Sequence, residues 1–127
     1  MQQNLSDSQI KDDRLLFDAD NFYNQYELDL CQKLIKKTIE TLPVYMEELR
    51  KAYQQQNFNQ LKRIAHTLKG MANSIFTPAL REIAYQIEKA ANDKNNDKIE
   101  SGMNELRNIY RPTFSMLKNQ LKQKKRS

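Results

Sequence analysis

The chain has no tryptophan, one cysteine, one histidine, 2 glycines and 3 prolines in 127 residues. Each scarcity excludes something. So few glycines and prolines leave little material for tight turns, which favours long helices and few connections. Strand signals are equally poor, because runs alternating β-branched and aromatic residues are missing. A lone Cys31 excludes an internal disulfide, and its apolar helical neighbours point to a reduced, partly buried thiol. No apolar run approaches the ~20 residues that span a bilayer. The start, "MQQNLSDSQIKDD", is polar and lacks the hydrophobic stretch of a secretory signal. The cytosol is therefore the expected compartment, with the nucleus as an alternative.

What the chain does have is charge. Charged residues make up 29% of the sequence and apolar ones 39%, and the mean hydropathy is −0.89. That balance suits one water-soluble domain with a modest core. The net charge is +5 and the pI about 9.3. Much of this sits in "KNQLKQKKRS", where Lys118, Lys122, Lys124, Lys125 and Arg126 crowd together. Cations suit the C-terminus of a helix and its dipole, so a solvated helix end explains them. Contact with nucleic acid, an acidic partner or an import receptor is the alternative. Nucleic acid is disfavoured, because no aromatic residues are interleaved with the tail cations.

Helical periodicity dominates the rest. Residues 1–9 are expected to be flexible, 10–123 to form the domain, and 124–127 to trail as a basic tail. A short helix is predicted from Ile10 to Phe17, and another turn near Asp18 or Asp20, both good N-caps. From Tyr26 to about Gln55, Leu28, Cys31, Leu34, Ile35, Ile39, Leu42, Met46, Leu49 and Tyr53 recur at spacings of three and four. That predicts one long amphipathic helix, bent at Pro43. A second runs from Phe58, capped by Asn57, to about Ser74. "FTPALRE" predicts a third, with Thr77 as N-cap and Pro78 at the first helical position. The last, from about Asp97 to Gln123, presents Ile99, Met103, Leu106, Ile109, Tyr110, Phe114, Leu117 and Leu121, with a bend at Pro112. Four such stripes joined by short polar loops are buried most simply in an all-α, antiparallel four-helix bundle with one or two short extra N-terminal helices.

A bundle does not name a function, so the site must. The only histidine, His66, lies in "LKRIAHTLKGMANSIF". At about 100° per residue, Leu61, Ile64, Ala65, Leu68, Met71, Ala72 and Ile75 fall roughly 100–180° away from it. Asn59, Lys62, Arg63, Lys69, Gly70 and Asn73 share its side of the helix. A core histidine is thereby excluded, and a ring facing water is predicted. A metal site is disfavoured, since the nearest neighbours on that face are cations rather than further ligands. The same cations disfavour the protonated ring and would stabilise an anion on it, above all a phosphoryl group. Gly70, costly in a helix by about 1 kcal/mol, makes sense if bulk beside the ring would block a docking partner. On these residues alone, phosphate chemistry and an incidental exposed histidine both stay open.

"AHTLKG", from Ala65 to Gly70, resembles the His-x-Leu-Lys-Gly signature of histidine-containing phosphotransfer (HPt) domains. The preceding "LPVYMEELRKAYQQQNFNQLKRI" is similar to that family's long helix and the turn into its histidine helix, internal proline included. "LREIAYQIEKAAN" resembles the next helix, with Glu88 in the usual acidic or amide place. The resemblance spans roughly Phe17 to Leu121. It implies a monomeric four-helix bundle that carries a phosphoryl group in multistep two-component signalling, with His66 as phosphoacceptor. Lys69 would steady the phosphoryl oxygens, Gly70 would give clearance, and Glu88 would orient the imidazole. The partners implied are receiver domains of hybrid histidine kinases and response regulators, which supply the Mg²⁺. The bundle itself would need no cofactor and would be a relay intermediate, with no kinase activity of its own. A receiver-binding adaptor that transfers no phosphate is the alternative.

Receivers generally meet such bundles through an apolar patch ringed by polar groups. The apolar candidates are Ile10, Leu16, Phe22 and Tyr23, and the polar ones Lys62, Arg63 and Asn73. Capping the end of the bundle is the other use for those apolar side chains. Two positions depart from the family pattern. Phe76 stands where a turn glycine is usual, and a bulky aromatic suits positive φ poorly, so a differently shaped turn is predicted. Met71 replaces a small residue after the glycine and is predicted to point into the bundle.

Overall fold

The computed structural model describes residues 12–125, with side chains through Lys122. The expected flexible stretch 1–9, the docking candidate Ile10 and the side chains of the tail at 124–127 lie outside the described residues. Within them are six helices and no strand: α1 (Asp13–Leu16), α2 (Ala19–Gln25), α3 (Leu28–Gln54), α4 (Phe58–Ser74), α5 (Pro78–Asn92) and α6 (Asn96–Lys125). The four long helices pack in a closed ring, α3 on α4, α4 on α5, α5 on α6 and α6 back on α3. Links of three residues force each to run antiparallel to the one before it. Both α3 and α6 continue through their prolines, Pro43 and Pro112, as single helices.

The stripes meet as the periodicity requires. Leu42 and Leu49 of α3, Leu61 and Leu68 of α4, Ile83 and Ile87 of α5, and Leu106 and Ile109 of α6 are all fully buried. Each such side chain contributes about 1.5–3 kcal/mol relative to exposure. Where α5 crosses α6, Gly102 sits against Ile87; a Cβ there would lie 2.7 Å from Ile87 Cγ1. The missing side chain is what lets the two helices approach. Leu28, expected in the α3 stripe, is half exposed instead, because it begins the helix beyond the reach of its neighbours. The predicted first helix is also shorter at its C-terminal end: α1 stops at Leu16, and Phe17 is extended with φ −152°.

All three links share one construction. Gln56, Phe76 and Lys94 occupy the left-handed region, at φ 55°, 57° and 54°. The next N–H then reaches back over the turn, from Asn57 to Ala52 O at 2.9 Å, Thr77 to Ala72 O at 3.0 Å, and Asn95 to Ala90 O at 2.9 Å. These bonds close Schellman motifs and satisfy carbonyls that the helix ends would orphan. In two links the same residue starts the following helix: Asn57 Oδ1 accepts from Gln60 N and Asn95 Oδ1 from Lys98 N, each at 3.1 Å. Each cap contributes about 1 kcal/mol.

The middle link corrects one expectation. Phe76 adopts the left-handed conformation that glycine would, so the turn keeps its shape despite the aromatic side chain. The ring offsets the backbone cost by packing edge-on against Phe22 and Tyr26, with centroids 6.4 Å apart in both pairs. Its carbonyl also accepts from Asp18 N at 2.8 Å, which pins the segment before α2 to the turn. Thr77 is the N-cap of α5, as expected, but its side chain makes no capping bond; the buried hydroxyl donates to Ala72 O at 3.2 Å instead. Pro78 needs no such cap for its own nitrogen.

Candidate functional site

The position of His66 follows from the register of α4. Asn57 sets the start of the helix, and Leu61, Ile64, Ala65, Leu68 and Ala72 turn one side of it into the core. The opposite side carries His66, whose side chain is 67% exposed. Met71 packs toward the core, as predicted from its angle on the helix, and its sulfur accepts from Thr41 Oγ1 at 3.5 Å.

Antiparallel packing brings Glu88 of α5 beside the ring. Its Oε2 lies 2.8 Å from His66 Nδ1, and its Oε1 accepts from Lys69 Nζ at 2.7 Å. One carboxylate thus holds two side chains that stand three residues apart on α4. Glu88 itself is only 16% exposed, so it is fixed while the imidazole is open to water. Burial pushes its carboxyl up, but the hydrogen bonds from Lys69 and then His66 outweigh that, and it stays ionised below the usual glutamate range. An ionised carboxylate only accepts, so Nδ1 carries the proton. In the neutral ring the lone pair therefore sits on Nε2, on the far side from Glu88. An outward nitrogen nucleophile beside an ammonium group is suited to taking up and releasing an anionic electrophile.

Gly70 has nothing within 4 Å of where a Cβ would be. No neighbour inside the molecule requires this glycine, and it leaves the surface one turn beyond His66 flat. Among the described residues, no three His, Cys, Asp or Glu side chains assemble into a group that could hold a metal ion. No described helix is long and apolar enough to cross a membrane.

A family model for the Hpt domain matches residues 33–123. The chain belongs to the Hpt domain family. The match contains α4, α5 and all of the geometry above, while α1, α2 and the start of α3 precede it. No curated protein and no solved structure matched the chain. Hpt domains serve phosphotransfer in phosphorelays, where they interact with receiver domains.

The other expected site residues of this Hpt domain divide into two groups. Lys62, Arg63 and Asn73 are exposed on the histidine's side of α4. Lys62 Nζ donates to Asn92 Oδ1 at 2.8 Å, and Arg63 is held by Gln60. Asn73 lines a shallow groove of about 480 Å³ with Asn21, Gln25, Tyr26 and Arg81. The apolar docking candidates fare differently. Leu16 and Phe22 are buried, the latter completely, and are corrected here from surface to core. Phe22 sits in an aromatic cluster with Phe17, Tyr23, Tyr26 and Phe76 that closes the end of the bundle. Tyr23 is partly buried, and its hydroxyl donates to Gln120 Oε1 at 2.8 Å.

Tyr85 was missed from sequence. It is an exposed aromatic one turn before Glu88, and both Lys69 and Lys89 place their ammonium groups over its ring, at 5.3 and 5.5 Å from the centroid. The spacing to Glu88 was a usable signal. It became meaningful only once α5 was known to lie along the Lys69 edge of α4.

Proposed function

We propose that this Hpt domain accepts a phosphoryl group on His66 Nε2 from the aspartyl phosphate of one receiver domain and passes it to the aspartate of another. The observation that carries this reading is the exposed imidazole tied through Nδ1 to a buried-edge carboxylate, with Nε2 facing out. In the accepting step the Nε2 lone pair forms the N–P bond. The P–O bond to the donor aspartate breaks, and its electron pair leaves with the carboxylate. Nδ1 keeps its proton, so the ring becomes cationic and Glu88 faces the new charge. The return step runs in reverse, with neutral imidazole as the leaving group.

Lys69 supports the phosphoryl oxygens, Glu88 orients the ring, and Gly70 leaves room for the receiver. In this reading the bundle holds no cofactor, and the Mg²⁺ belongs to the receiver. Incubation with a ³²P-labelled receiver domain tests it. Wild type should gain acid-labile, base-stable label and His66→Gln none. Equal labelling of the two, or receiver binding without any labelling, would refute the acceptor role, and the latter would favour a non-transferring adaptor.

A further inference from the structure

Glu88 has two partners, and the chemistry proposed for His66 gives one of them a stronger attraction elsewhere. In the resting protein the Lys69 ammonium is held from one side by Glu88 Oε1 at 2.7 Å and lies over the Tyr85 ring. Nδ1 and Nε2 point to opposite sides of an imidazole. A phosphoryl group built on Nε2 therefore projects away from Glu88, so an ammonium kept at Oε1 is poorly placed to meet it. A phosphoryl group carries about −1.5 to −2 charge at pH 7, against −1 for the carboxylate. It competes for Lys69 with the larger charge.

Resting on the acceptor reading above, we propose that Glu88 is a positioning residue that exchanges partners during transfer. It holds Lys69 in the unmodified protein, yields it to the phosphoryl oxygens once His66 is modified, and keeps the Nδ1–H of His66 throughout. The exchange balances charge at both stages. Before transfer, Glu88 neutralises Lys69. After it, Lys69 neutralises part of the phosphoryl charge while the undivided carboxylate faces the cationic ring. Glu88 is the more buried of the two, at 16% exposed against 29% for Lys69, and a lysine carries its ammonium on a four-carbon stem of rotatable bonds. Lys62, Lys89 and Asp93 line the same groove of about 320 Å³, but the carboxylate's two close partners are His66 and Lys69.

The test uses potassium phosphoramidate, so that no receiver is involved. Its P–N bond breaks with the electron pair leaving as ammonia, and Nε2–P forms. Labelling rates and the later rates of phosphohistidine loss at pH 7.5 are measured for wild type, Glu88→Gln, Lys69→Met and the double variant. Glu88→Gln keeps an acceptor for Nδ1–H but not the charge, and should slow labelling about tenfold. The decisive quantity is the coupling between the two substitutions. If the contact exists only before transfer, their effects on labelling should depart from a simple product by at least threefold. Their effects on loss should multiply. Labelling effects that simply multiply would mean that the contact does not change on the way to transfer. Loss effects that do not multiply would mean that Lys69 is still on Glu88 in the phosphorylated protein. Either result would refute the exchange with the acceptor role intact. Failure of wild type to label at all would remove both.

Discussion

Glu88 Oε2 lies 2.8 Å from His66 Nδ1 across the α4–α5 interface, and the same carboxylate binds Lys69 through its other oxygen. The contact joins a fixed, mostly buried group to an exposed one. It converts a freely rotating imidazole into one with a defined outer nitrogen.

The ionisation of Glu88 predicts a change in stability with pH. Its carboxyl is lowered in the folded state, because the Lys69 and His66 hydrogen bonds outweigh the effect of burial. A lowered carboxyl contributes stability that is present above the unfolded value, about 4.3 for glutamate. That contribution is lost as pH falls through the lower folded value. Urea unfolding from pH 6 down to 3 should therefore show the gap between wild type and Glu88→Gln shrinking across the acid limb. A gap that stays constant over that range would contradict the assignment.

The left-handed residues of the links predict opposite responses to the same substitution. Gln56 and Lys94 are exposed and lie at positive φ, so glycine should relieve the backbone there. Gln56→Gly and Lys94→Gly should each stabilise the fold by about 0.5–1 kcal/mol. Phe76→Gly should instead destabilise it by about 1–3 kcal/mol, because the ring packs on Phe22 and Tyr26. Chemical denaturation of the three variants reads the signs directly, and a stabilised Phe76→Gly would mean that the aromatic cluster contributes little.

The link at Phe76 also marks where sequence reading runs out. Helix starts, stripes and the outward angle of His66 depend on spacing within one helix, and Leu61, Leu68 and Ala72 sit where that spacing puts them. Phe76 and Phe22 depend on each other across more than fifty positions of chain. The cost of positive φ at Phe76 was visible, but the partner that offsets it was not. For the same reason Leu16 and Phe22 looked available for docking: nothing local to them says that α1 packs against α5 and α6 or that α2 closes the end of the bundle. Glu88 was legible only by resemblance, and its second bond, to Lys69, was not legible at all. Lys69 showed in the sequence as a cation beside the histidine, whereas its pairing needs the α4–α5 register.

Gly102 predicts a packing defect. An added Cβ would meet the fully buried Ile87 Cγ1 at 2.7 Å, so the side chain or the helices must shift to admit it. Gly102→Ala should cost about 1–3 kcal/mol despite alanine's better helix propensity. Combined with Ile87→Ala, which deletes the offending atom, it should cost less than the sum of the two alone. Strict additivity in thermal or urea unfolding would show that the helices shift apart freely.

Gly70 predicts the reverse. It too lies inside a helix, but open space surrounds the position of its missing Cβ. Gly70→Ala should therefore stabilise the fold by about 1 kcal/mol, the ordinary propensity gain. If the glycine is there for an incoming receiver, the same change should slow phosphoryl transfer from a receiver while leaving phosphoramidate labelling near the wild-type rate. The small donor needs no flat surface beside His66, and a docked domain does. A larger residue, as in Gly70→Gln, should widen that difference without abolishing the fold. Equal rates from the receiver for wild type and both variants would show that the partner does not approach over this turn of α4, and the clearance role of Gly70 would have to be given up.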